Sequence, residues 1–223
     1  MSKSQIIKQI KSIFNTHLGG PPAALGKLVP PKVSEGKLYE AFVLARIVEN
    51  LSLQNGYELT LVGGDKIYFK SAPGPINTAY PRIQLKENGV CVAELWTDIE
   101  FLSLSCCIRN SNPITNGDYH ELDIIVVDAD TSGRPRPDTI WLGVECKNTG
   151  YHKALLKEIL GIRRELSLLQ EPLPTRFDPW PRTMVPASPP SCLVVYSTDP
   201  SVNQYSAPGG VFGIDFFHQP MSN

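Results

Sequence analysis

The chain is short of histidine, of positive charge and of long apolar runs, and each shortage excludes something. Its four histidines, His17, His120, His152 and His218, are scattered over 223 residues and show no paired spacing with cysteine. A tetrahedral zinc site is therefore not expected. Lys and Arg number 21 against 22 Asp and Glu, for a net charge of −1. That is not the footprint of a protein that coats nucleic acid, although a local basic strip can do what net charge does not. No run approaches the ~18 apolar residues of a membrane span, and the first residues lack an apolar signal segment. The five cysteines, Cys91, Cys106, Cys107, Cys146 and Cys192, are odd in number and form no CxxC pair. They read as reduced thiols buried in apolar runs. A cytoplasmic protein with no membrane partner is expected.

What is present suits an ordinary globular chain. Hydrophobic residues make up 42%, and the length allows one large domain with a core that needs no disulfides. Ile6, Ile7, Ile10, Ile13, Phe14 and Leu18 recur at helical spacing, which predicts an amphipathic helix over 4–18. The Gly- and Pro-rich stretch 19–33 predicts a linker, so residues 1–33 read as a helix and linker ahead of a domain over 34–223. Ser34 is the expected cap of a second helix running to Leu53. Its stripe is Leu38, Phe42, Ala45, Val48 and Leu51, and it also carries Glu40.

Strand patterns follow. Tyr57–Val62 and Lys66–Lys70 flank Gly63-Gly64-Asp65, and Arg82–Lys86 and Val90–Trp96 flank Glu87-Asn88-Gly89. Both read as hairpins. Ile99–Ile108 is a further apolar run of strand character. Residues 151–170 predict a strongly amphipathic helix, with Lys153, Lys157, Arg163 and Arg164 on its polar side. Residues 171–190 hold seven prolines, which excludes regular helix and central strand and predicts a long structureless stretch. Ser191–Ser197 reads as a buried strand and Val211–Phe217 as an edge strand. The expected fold is α/β, a mixed central sheet flanked by helices.

Two acidic strands carry the chemistry. The first is His120-Glu121-Leu122-Asp123-Ile124-Ile125-Val126-Val127-Asp128, and the second is Ile140-Trp141-Leu142-Gly143-Val144-Glu145-Cys146-Lys147. Strand alternation puts Glu145 and Lys147 on one face and Cys146 on the other; it also puts Glu121 and Asp123 together, with His120 opposite Asp123. As neighbours, the strands would bring Asp123, Glu145 and Lys147 together. Two carboxylates suffice for Mg²⁺ when a substrate phosphate completes the shell. A lysine between carboxylates stays protonated, which favours an electrostatic role. Glu35-Gly36-Lys37 repeats the acidic-x-Lys pattern at a helix start and receives no catalytic weight. Trp96 and Trp141 read as core.

This arrangement resembles the PD-(D/E)xK, or restriction-endonuclease-like, nuclease superfamily over roughly residues 34–70 and 118–197. Asp123 matches the motif aspartate, Glu145 and Lys147 match the Glu-x-Lys pair, and Glu40 matches a glutamate that members often carry on the first helix. No proline precedes Asp123, and the long interval before it implies an inserted hairpin region around 75–108. The resemblance implies a metal held by Asp123, Glu145 and the Cys146 carbonyl, with Glu40 in contact or one water away, and Lys147 assisting the nucleophile. It implies Mg²⁺, or Mn²⁺, as cofactor, and makes Lys153 and Arg163 candidate contacts to nucleic acid. The function implied is a metal-dependent DNA endonuclease in restriction or anti-phage defence, acting as a homodimer or within a larger complex. The alternative is a non-catalytic nucleic-acid-binding or assembly subunit of the same fold.

Overall fold

Two long helices lie on one face of a large sheet and one on the other, in a computed structural model that describes residues 2–19, 34–64, 67, 69 and 72–221. Helix α1, Lys3–His17, is capped by Ser2, whose hydroxyl accepts from the Gln5 N–H while the Gln5 side chain accepts from the Ser2 N–H. This reciprocal pairing satisfies two otherwise orphaned donors. Ile6, Ile10, Ile13 and Phe14 form its buried stripe. Helix α2, Glu35–Leu53, starts at the expected Ser34 cap, which accepts from the Lys37 N–H at 3.2 Å. Ten of its residues are buried, so it is the central helix of the core on that face.

The main sheet has the order β1-β2-β3-β4-β5-β6-β9-β10. Its strands are β1 (Leu18–Gly19), β2 (Glu58–Val62), β3 (Arg82–Glu87), β4 (Val90–Leu102), β5 (Tyr119–Asp128), β6 (Ile140–Lys147), β9 (Cys192–Ser197) and β10 (Ile214–His218). From β2 to β6 every neighbour is antiparallel, whereas β6, β9 and β10 are parallel. A parallel neighbour requires a crossover, and helix α4, Lys153–Leu166, lies between β6 and β9 in the chain. It buries Ile159 and Leu166 against the sheet face opposite α1 and α2.

Several expected elements shift. Strand β2 pairs with β3. The expected strand Lys66–Lys70 falls in part outside the described residues, and Ile67 and Phe69 are not strand. The linker over 20–33 also lies outside them. The segment 75–108 holds β3 and β4, which sit in the main sheet between β2 and β5. The apolar run 99–108 divides: β4 continues to Leu102, then a short helix α3, Leu104–Arg109, begins at the Ser103 cap. The proline-rich segment is not structureless. Strands β7 (Leu168–Pro174) and β8 (Met184–Ser188) pair antiparallel in a separate two-stranded sheet. Phe177 and Trp180 of the intervening loop bury in the core beside α2, and the Trp180 carbonyl accepts from Asn55 at 2.9 Å. Proline excludes this segment from the central ladder but not from an edge pairing anchored by two aromatic rings.

Candidate functional site

The site forms where the sheet loses its regularity. Strands β4 and β5 pair Thr97 with Ile124 and Ile99 with Leu122, and the rung between them, Asp98 opposite Asp123, is not a ladder pair. Asp98 has φ 54, a left-handed conformation that aspartate tolerates better than most residues. The side-chain alternation shifts at this rung on both strands. Ala93 and Leu95 lie in the core beside α2, and so do Ile124 and Val126. Trp96, Ile99 and Phe101 lie on the α4 side, and so do Leu122, Ile125 and Val127. Between β5 and β6 the ladder stops at Ile124–Val144. Beyond it, the Cys146 N–H donates to Asp123 Oδ2 at 2.7 Å in place of a strand carbonyl. Asp123 thus stands where β6 parts from β5 and where the β4–β5 ladder skips a rung before resuming at Ile99–Leu122.

Side chains from both faces converge there. Lys37 and Glu40, three apart on α2 and therefore on one side of the helix, reach it from one face. The Lys37 ammonium bonds Glu40 Oε2 at 2.7 Å and Asp98 Oδ1 at 2.6 Å. One carboxylate oxygen from each of Glu40, Asp98 and Asp123 lies within 4.8 Å of the other two. They border a cavity of about 260 Å³, also lined by Ala72, Pro73 and Glu121. The Pro73 side of this cavity is fixed by backbone bonds: Gly74 N–H donates to the Asp98 carbonyl, and Glu100 N–H to the Gly74 carbonyl.

Glu145 and Lys147 share the opposite face, as alternation requires, while Cys146 packs on the core beside α2. Lys147 Nζ lies 2.9 Å from Glu145 Oε2 and 2.9 Å from Glu158 Oε1 on α4. Burial alone would lower the Lys147 pKa, but these two carboxylates raise it well above the ordinary value. Burial pushes Glu145 up to about 8, helped by the charge of Asp123. Burial likewise pushes Glu40 up to about 7 against the bond from Lys37. It raises Asp123 against the opposing bond from Cys146 N–H. A set of carboxylates that resists ionising together is one that a cation would relieve.

The structure brings Asp123, Glu145, Lys147 and Glu40 into one neighbourhood, with a different grouping from the expected one. Glu40 and Asp98 join Asp123, and Glu145 stands outside that trio beside Lys147. Cys146 contributes through its N–H. Lys153 is exposed at the start of α4. Arg163 does not sit on a solvated face. It is 4% exposed and bonds Ser191 and Ser167, ten residues and ~15 Å further along the helix. Sequence reasoning missed Asp98, Lys37 and Glu158. The signal for Asp98 was a carboxylate interrupting an apolar run, and that for Lys37 was its i,i+3 spacing to Glu40. Glu158 left none beyond its place on the following helix. His120 is exposed against Phe101, and Trp96 and Trp141 are buried, in line with their structural readings.

No protein-family model, curated protein or solved structure matches this chain.

Proposed function

We propose that the chain is a metal-dependent endonuclease that hydrolyses phosphodiester bonds in DNA. The observation that carries this reading is the convergence of Glu40, Asp98 and Asp123 beside the Glu145–Lys147 pair. Oxygens within 4.8 Å of one another match the ~4–5 Å that two ligands of one hard cation can span at bond lengths of 2.0–2.6 Å. The donor set is all oxygen, which suits Mg²⁺ or Mn²⁺ and not a thiolate-seeking ion. When bound, such an ion would polarise the scissile phosphate and lower the pKa of an attacking water.

The chain's own groups divide the remaining work. Asp123, Asp98 and Glu40 would hold the ion. Lys147, fixed between Glu145 and Glu158, stays an ammonium and stabilises negative charge at the phosphate. Two groups are placed to exchange a proton near neutral pH before an ion binds, Glu40, pushed up to about 7, and Glu145, pushed up to about 8; of the two, Glu145 lies outside the trio and is the one left for proton transfer. Net charge of −1 leaves affinity for DNA to be supplied by a second copy or a larger complex. No helix among the described residues is long and apolar enough to cross a membrane.

One observation favours the non-catalytic alternative. Lys37 already balances two of the three carboxylates, so the pocket has an internal cation. A single experiment separates the readings: cleavage of supercoiled plasmid and single-stranded DNA with Mg²⁺, Mn²⁺ or EDTA, comparing wild type with Glu145→Ala. Metal-dependent cutting lost in the variant supports the nuclease. No cutting, with no metal binding by calorimetry, favours the binding or assembly subunit.

A further inference from the structure

A second cavity, of about 260 Å³, lies under the C-terminal half of α4. Its wall is apolar, with Leu160, Leu169, Pro186, Ala187 and Phe212 among its lining, and Arg163 and Arg164 stand in the same wall. None of the residues lining it is acidic. Leu169 and Phe212 are 58% and 38% exposed, so the cavity opens to solvent past two apolar side chains.

Arg163 is the unusual member. It is 4% exposed, and its acceptors are all neutral: the Ser191 carbonyl at 2.8 Å, the Ser191 hydroxyl at 2.9 Å, and the Ser167 hydroxyl. Among the described residues it forms no salt bridge, and its buried Nε–H has no acceptor. Burial lowers its pKa to about 10, which leaves it charged at neutral pH. Other buried or half-buried arginines of this chain are paired, Arg82 with Glu94 and Arg182 with Asp215. A buried cation without a counter-charge is costly, and a guanidinium matches a carboxylate through charge-assisted bonds.

We infer that this cavity binds a small carboxylate bearing an apolar chain or ring, its carboxylate on Arg163 and its apolar body against Leu160, Ala187 and Phe212. The volume, just below the ~300 Å³ at which pockets for drug-sized ligands begin, sets a small ligand. The site is separate from the acidic pocket and does not depend on the nuclease reading.

The test uses the full chain and octanoate as probe, with octan-1-ol and acetate as the neutral and chainless controls. Isothermal calorimetry should show saturable octanoate binding, on the order of tenfold tighter than octan-1-ol, because only the carboxylate meets the guanidinium. Acetate should bind far more weakly. Leu169→Glu, a change at an exposed rim position, should weaken octanoate severalfold while leaving the fold intact. Arg163→Lys should weaken it further, but this variant risks the fold. The Nε–H resonance of Arg163 in the wild-type protein is therefore the direct readout, and octanoate should move it. Absence of saturable octanoate binding, equal binding of octan-1-ol, or an unmoved Arg163 Nε–H resonance at saturation would each overturn the inference.

Discussion

Replacing Glu145 by glutamine should make the metal-free protein more stable at pH 8 while removing cleavage. Glu145 is 5% exposed, and its pKa is raised from 4.5 to about 8. The unfolded chain has an ordinary glutamate that ionises freely above 4.5, whereas the folded chain resists ionisation until about 8. The folded state therefore binds more protons across this window, and stability falls as pH rises through it. At ~1.4 kcal/mol per pH unit the unfavourable contribution approaches ~4 kcal/mol at pH 8 and is under ~1 kcal/mol at pH 5. Glutamine keeps the shape and removes the titration. The attraction of Lys147 already opposes the rise to about 8, and Lys147 keeps Glu158 in the variant, so ~4 kcal/mol is a ceiling on the gain. A net increase of about 1–3 kcal/mol at pH 8 is expected, or roughly 2–4 °C in melting temperature per kcal/mol for a chain of this size. Urea unfolding in EDTA at pH 5 and pH 8 measures both. Reduced stability of Glu145→Gln at pH 8, or a gain as large at pH 5 as at pH 8, would refute the argument that burial of this carboxyl is a cost retained for the site.

The other tests address the trio, its internal cation and the backbone around them. Asp98→Asn preserves volume and should weaken Mg²⁺ binding by at least the roughly 10–100-fold that losing a partner behind a ligand already costs, read by calorimetry, with cleavage lost in proportion. Lys37→Met removes the ammonium that bonds Glu40 and Asp98; melting in EDTA should fall, and the rise on adding Mg²⁺ should exceed that of wild type. An unchanged or smaller rise would mean that Lys37 does not compete for the pocket. Gly63 has φ 77, and a Cβ there would meet the Tyr80 carbonyl oxygen at 2.7 Å. Gly63→Ala should cost about 1–3 kcal/mol in urea unfolding. Gly89→Ala, at φ 79 with open space around it, should cost ~1 kcal/mol from the conformation alone.

The large elements were legible because their signals are local. Helix α2 begins at Ser34 because a hydroxyl can accept from the N–H three residues on, and its apolar stripe repeats at 3.6. The apolar run Ile124–Val127 reads as a strand buried on both faces, and β5 is covered on both sides. Pairing was harder to read. Gly63-Gly64 is turn chemistry, but turn chemistry does not name the returning strand, and β2 finds its partner twenty residues later in β3. Nor does proline density measure disorder. The stretch between β7 and β8 is held by where Phe177 and Trp180 are buried, and that is a property of α2 and the sheet edge beneath them.

The site divides along the same line. Glu145 and Lys147 follow from a period of two, since nothing between Leu142 and Lys147 disturbs the alternation. The grouping around Asp123 does not. A strict alternation carried along β4 from Leu95 would put Asp98 on the face of Trp96, but the phase shifts there because Asp98 adopts φ 54. That conformation is available to an aspartate and strained for a valine or isoleucine. The same residue that breaks the pattern supplies the third carboxylate of the trio. The loss of a ladder rung is tolerable here because the carboxylates that replace it are bonded by Lys37 and by the Cys146 N–H. The irregularity and the acidic pocket are thus one feature, and substituting valine for Asp98 should restore the ladder and remove the pocket together.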